Sequence, residues 1–258
     1  MLETLLALIF AHLVGDFLLQ SDWMVARKSN PRILILHVAL HLVATAVVLG
    51  HMPLGALAVI GVTHYAIDWL KERAGGGIGP FLVDQVAHFS VLIGVAALWP
   101  ALFHDGAWAE KASLPSGFAL VSGLIAVLVA GRYATETLLR DVRERGGPSV
   151  ASPAAGAQTA EQAADGSLTT GITLSSGPPL DLGGLRTGFI ERGAVFGLIL
   201  CGMPLAAVLF AFGKLGMTVL GIQFGWLRRA ALAGSVFSLI WGFGCAGLTA
   251  IALERLGS

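Results

Sequence analysis

Charge is scarce in this chain. Asp, Glu, Lys and Arg make up only 12% of its 258 residues, about half the share of an ordinary soluble domain. A soluble globular reading is therefore excluded. Basic residues do not outnumber acidic ones, at 16 each, and no basic tract occurs, so no nucleic-acid partner is supported. Cysteine is nearly absent. Cys201 and Cys245 both fall in apolar runs, where they read as small packing residues and not as a disulfide framework. The apolar runs also lack strand-like alternation, which disfavours a membrane β-barrel. MLETLLALIF has Glu3 and no positive residue before its apolar stretch, so it reads as a retained first span and not as a cleaved signal peptide. Neither HExxH nor GxSxG occurs, so neither a zincin protease nor a serine-elbow hydrolase has motif support.

What is abundant is hydrophobicity. Apolar residues make up 55% of the chain and mean hydropathy is +0.79. Several stretches approach roughly 20 residues with few charges, enough to cross about 30 Å of hydrocarbon as a helix. The expected fold is all-α, a polytopic transmembrane bundle of about seven spans near 2–20, 34–51, 53–71, 80–103, 117–139, 190–213 and 231–253. Residues 1–140 read as an N-terminal five-helix membrane domain and 187–258 as C-terminal membrane helices. Between them, 141–186 is rich in Ala, Gly, Ser, Thr and Pro and reads as a flexible loop, with a short strand pair around GITLSS as the alternative. Residues 215–230 look too short to cross and read as an interfacial or re-entrant piece. Arg27, Lys28, Arg32, Lys71, Arg73, Arg140, Arg143, Arg145 and Arg186 follow the odd-numbered spans. They place the N-terminus outside and the C-terminus in the cytoplasm of a bacterial inner membrane. Arg228 and Arg229 dissent from that topology.

One spacing recurs through the first four spans. AHLVGDFLLQ carries His12, Asp16 and Gln20; LILHVALHLV carries His37 and His41; THYAIDWLK carries His64, Asp68 and Lys71; FLVDQVAHFS carries Asp84, Gln85 and His88. Each span thus holds a His/Asp or His/His pair at i, i+4, one turn apart on a single face. The charge-derived topology puts all eight groups in the cytoplasmic half of the bilayer. Ionisable groups there cost about 2.5–3.5 kcal/mol each, so they face a bundle interior and need partners. Polar glue between helices would not require His and Asp so exclusively.

Imidazole and carboxylate without thiolate suit zinc, iron or manganese, and helical bundles build such sites from inward i, i+3 or i, i+4 pairs. The expected metal ligands are His12, Asp16, His37, His41, His64, Asp68, Asp84 and His88. Eight exceed one zinc's need, leaving two ions or one ion with a full outer shell of Asp–His pairs. An intramembrane metal with an open position points to hydrolysis. A lipid, lipid-linked phosphate or membrane peptide is the expected substrate. Asp68, Asp84 or the metal hydroxide itself would be the base, Lys71 and Lys28 anion contacts, and Gln20 an orienting or substrate-facing group. The alternative is an ion or proton transporter, or a channel or sensor, using the same groups. The almost purely apolar outer halves (LLALIF, VATAVVLG, LGALAVIGV, VLIGVAALW) oppose a through-path. Haem would leave the three carboxylates unexplained.

These residues resemble a bacterial membrane family, domain of unknown function 3307. The pattern is H-x3-DF-x-LQ, a spaced Lys, H-x3-H, H-x3-D-x2-K and DQ-x2-H, carried here by His12 to Gln20, Lys28, His37, His41, His64, Asp68, Lys71, Asp84, Gln85 and His88. The resemblance covers about residues 1–103 and implies a fold and a motif without a reaction. A looser similarity in residue type is to membrane-bound metal-dependent hydrolases. GFIERG, with Glu191 and Arg192, also resembles longer members, whereas RRAALAGSVFS lacks the acidic-aromatic pair expected there. Glu191 and Arg192 read as an ion pair or second clamp, Arg132 and Glu136 as a structural pair, and Asp22 and Trp23 as an interfacial anchor.

Overall fold

A computed structural model describes residues 1–146, 182–221 and 225–257. All elements among the described residues are helical: α1 (Leu2–Val14), α2 (Asp22–Val25), α3 (Pro31–Leu49), α4 (Leu54–Ala74), α5 (Ile78–Leu98), α6 (Leu114–Leu124), α7 (Gly131–Gly146), α8 (Leu182–Leu200), α9 (Pro204–Gly221) and α10 (Gly225–Gly257). Two π-helical turns interrupt the series. Gly15–Leu19 continues α1, and Ile125–Ala130 joins α6 to α7.

Local signals set the boundaries. Asn30 accepts from the Arg32 amide at 3.0 Å and Pro31 occupies the first turn, which starts α3. Gly50, with φ 73°, ends it in the left-handed conformation. A Cβ there would also strike the backbone of Ala107 and the ring of Trp108.

Leu2–Leu19, Pro31–Leu49, Ile78–Leu98, Leu114–Arg145 and Ala230–Gly257 are each long and apolar enough to cross a membrane. Their outward faces expose Ile35, Val43, Val47, Val86 and Leu98, as lipid contact requires. Helix α4 is less apolar because it carries His64 and Asp68, yet both are buried. It packs between α3 and α5, so its polar face is turned away from lipid. The fold is an all-α polytopic membrane bundle.

Three expectations change. The sixth span, 190–213, is not one helix: it breaks at Cys201–Met203, where Gly202 has φ 73° and Pro204 begins α9. Residues 215–230 likewise form no separate piece, since α9 runs to Gly221 and α10 starts at Gly225. The expected loop shrinks at both ends, because α7 reaches Gly146 and α8 starts at Leu182. Residues 147–181, including GITLSS, lie outside the described residues.

The extra helix alters the course of the chain. Leu253 and Leu256 of α10 pack into the same apolar cluster as Leu2, Leu5 and Phe103. Both termini therefore lie at one end of the bundle. Residues 228–229 now begin α10 at the end where Gly234 meets Leu139 of α7. That is also the end of Lys71 and Arg140, because Ile78 N–H donates to Asp141 at 2.8 Å.

The bundle's two halves differ in filling. Toward His51 and Trp108, α1, α3, α4, α5 and α6 pack Leu6, Leu8, Leu49, Ile60, Leu92 and Phe103 into one apolar core. Toward the basic end, the space among α1, α3, α4 and α5 is taken by histidines and aspartates.

Candidate metal centre

Five imidazoles from four helices meet in that half. His12, His37, His41, His64 and His88 are all at most 3% exposed. His41 and His64 have ring centroids 4.0 Å apart, His64 and His88 4.3 Å, and His12 and His88 4.9 Å. The i, i+4 pairs produce this convergence, since each helix turns one face to the common interior.

Asp16 is the hub. Its Oδ1 lies 3.0 Å from His41 Nε2, 3.2 Å from His37 Nε2 and 3.9 Å from His64 Nε2. Its Oδ2 lies 3.6 Å from His12 Nε2 and accepts from Gln85 Nε2 at 3.2 Å. The π-helical turn at Gly15–Leu19 carries Asp16 into the cluster; such a turn adds a residue to the helical register and is frequent at functional sites. Gly15 is required alongside it, because a Cβ there would collide with the His41 ring.

The remaining carboxylates stand on the basic side. Asp68 Oδ2 lies 3.3 Å from His37 Nε2 and 3.7 Å from His64 Nε2, and accepts from Lys28 Nζ at 3.1 Å. Asp84 Oδ2 accepts from Lys71 Nζ at 2.6 Å and from Gln85 Nε2 at 3.1 Å. Its Oδ1 is buried with no hydrogen-bond partner. The Gln20 amide sits 3.3 Å from His37 Nδ1, where turning it over serves either tautomer.

The residues fit a metal ion. Asp16, His37, His41 and His64 each offer a ligand atom within 4.8 Å of the others. A tetrahedral site with bonds near 2 Å has ligand–ligand edges of about 3.3 Å; the Asp16 contacts to His41 and His37 and the 3.2 Å between His37 Nε2 and His64 Nε2 match this, while His64 stands 3.9 Å from Asp16. Two further sets, His12–Asp16–His88 and His64–Asp68–His88, satisfy the same spacing. His12 Nε2 and His88 Nε2 are buried without a hydrogen-bond partner, an expensive condition for an imidazole nitrogen unless something binds it. His88 Nδ1 donates to the Asp84 carbonyl at 2.9 Å, the outer bond that aims the other nitrogen of a metal-binding histidine. A cavity of about 10 Å³ adjoins His12, His41, His64 and His88, room for one ion or water.

Seven of the eight expected ligands thus fall into these sets. Asp84 stands outside them, held by Lys71 and Gln85. The two lysines differ from expectation: each is bonded to a carboxylate, and Lys28 is buried, so neither stands ready for a substrate anion. The segment from α2 to Asn30 folds back under the bundle to bring Lys28 to Asp68, a path that spacing does not show. Gln85 links Asp16 to Asp84 and Gly15 admits His41. Gln85 was visible as a member of the DQ-x2-H motif without an assigned role, and Gly15 only as a small residue beside a motif position.

Outside the cluster, Glu191 pairs with Lys214 at 2.6 Å and not with Arg192. Arg192 donates to the Val127 carbonyl at 2.8 Å and to Thr135 and Ser238 hydroxyls at 3.2 and 2.9 Å. Arg132 and Glu136 form the expected pair at 2.7 Å. His51 bonds the Leu102 carbonyl and His104 meets Glu3, both at the opposite end.

Residues 4–110 match the model of the family described as "Protein of unknown function (DUF3307)". The match spans α1 to α5 and therefore every residue of the cluster. No curated protein and no solved structure matches the chain.

Proposed function

We propose that α1, α3, α4 and α5 form an intramembrane centre for a divalent transition metal, zinc foremost, held by Asp16, His37, His41 and His64. On this reading the protein is a hydrolase of the bacterial inner membrane. It acts from the cytoplasmic leaflet on a lipid, lipid-linked phosphate or membrane peptide. The carrying observation is the four-ligand group at metal spacing, with buried imidazole nitrogens beside it that lack any partner. The bound metal supplies Lewis acidity. The chain's own groups supply the rest. Asp84 is the base: one oxygen is fixed by Lys71 and the other is free to take a proton. Lys71 and Gln85 together hold Asp84 in register with Asp16. The lysine-rich end supports the cytoplasmic orientation, with both termini outside.

The apolar core of Leu6, Leu8, Ile60, Leu92 and Phe103 closes the far side of the cluster. A polar route to both faces, which a transporter needs, would have to cross it, and this favours the one-sided hydrolase.

Protein purified in detergent without chelator should hold about one equivalent of metal. Asp84→Asn should retain that metal while losing hydrolysis of a short-chain ester in micelles. Metal below about a tenth of an equivalent in the wild type sinks the proposal.

A further inference from the structure

The first ligand group leaves two imidazoles unused. His12 Nε2 and His88 Nε2 are buried, point inward and have no hydrogen-bond partner, and their rings lie side by side, 4.9 Å between centroids. They also face the other oxygen of the hub. Asp16 Oδ1 serves His37, His41 and His64, whereas Oδ2 is the oxygen 3.6 Å from His12. The His12–Asp16–His88 set meets ligand spacing by itself. Space is present, because the small cavity is lined by His12 and His88 together with Thr45 and Thr63.

We propose that Asp16 bridges two metal ions, the second bound at Oδ2 with His12 and His88. This rests on the metal centre proposed above. The competing set of His64, Asp68 and His88 is already committed, since Asp68 Oδ2 is held by both Lys28 and His37. Gln85 also contacts Asp16 Oδ2, and a carboxylate oxygen has a second lone pair for a ligand bond.

Charge sets the order of filling. With neutral imidazoles, Asp16, Asp68 and Asp84 against Lys28 and Lys71 leave one negative charge. One dication reverses that sum, and a second adds positive charge to a poorly solvated interior. The second ion therefore binds more weakly than the first. Lys71, the more exposed of the two lysines at 27%, adds to that repulsion, and its removal strengthens the second site.

The test is a titration of the full-length detergent-solubilised protein with Mn²⁺, read by bound-metal stoichiometry and by electron paramagnetic resonance. The wild type should bind two ions, the second at least roughly tenfold more weakly, and develop a spin-coupled signal as it fills. The His12→Gln/His88→Gln double variant should stop at one ion with no coupled signal. Lys71→Met should tighten the second step. Saturation of the wild type at one ion overturns this proposal and leaves the metal centre standing; no binding of Mn²⁺ or Zn²⁺ overturns both. Two ions in the double variant also overturn it. Helical circular dichroism checks that each variant is folded.

Discussion

The two halves of the molecule bury polar groups in different ways. In the C-terminal half, Arg192 is 1% exposed but meets a prepared set of acceptors. The π-helical turn Ile125–Ala130 frees main-chain carbonyls from the helical ladder; Val127 accepts from Arg192 and Ala126 accepts from Trp241 at 2.8 Å each. In the N-terminal half the other π-helical turn does something else. It brings Asp16 among five imidazoles, two of which have an unpartnered nitrogen. Burial of polarity inside a membrane therefore does not by itself mark a functional site. Matched donors and acceptors mark structure, whereas convergent groups with unfilled bonds mark a place for a ligand.

The strongest way to break this contrast is at Asp16. Asp16→Asn removes a charge that touches both histidine sets, and metal content should fall from about an equivalent to below about a tenth, measured by elemental analysis. Full retention would mean that the cluster is structural like its C-terminal counterpart.

Gly15→Ala is the next largest. Alanine is favoured over glycine in a helix by about 1 kcal/mol, so a harmless methyl would raise stability. Because its Cβ meets the His41 ring, metal affinity should instead drop about tenfold or more. A variant with higher melting temperature and unchanged affinity would refute the close approach.

Arg192→Met sharpens the contrast from the other side. It removes the donor from the Val127 carbonyl and the Ser238 hydroxyl, at about 1–3 kcal/mol for each group left without a partner, while Thr135 keeps its bond to the Gly131 carbonyl. Thermal stability in detergent should fall while metal stoichiometry stays at the wild-type value. Loss of metal would couple the two halves and end the distinction.

Arg132→Ala should do least. Its pair with Glu136 is on an exposed helix face, with Arg132 62% exposed, and such pairs contribute about 0.3–0.5 kcal/mol. Neither melting temperature nor metal content should move measurably.

Much of the cluster was legible because helical periodicity carries direction: His12 with Asp16, His37 with His41, His64 with Asp68 and Asp84 with His88 each define a face, and those faces must turn from lipid. The salt bridges of Lys28 and Lys71 were not legible, since they depend on how connections fold under the bundle. The π-helical turns were invisible as well, because GDFLL and IAVLVA carry no composition that separates them from ordinary helix. The break before Pro204 had a signal in GMP, but the surrounding hydrophobicity reads as one continuous span. Missing it merged α8 and α9 into one expected span.

The apolar core on the far side of the cluster also acts as an insulator. A membrane voltage falls mainly across the medium that polarises least, here the layer of Leu6, Leu8, Ile60, Leu92 and Phe103. Carrying a dication across the whole of a 100 mV potential changes its energy by about 4.6 kcal/mol. An ion that reaches Asp16 from the lysine-rich end stops before that layer and traverses little of the field. Occupancy of the centre should therefore follow the metal concentration on that side and hardly respond to whether the membrane is energised.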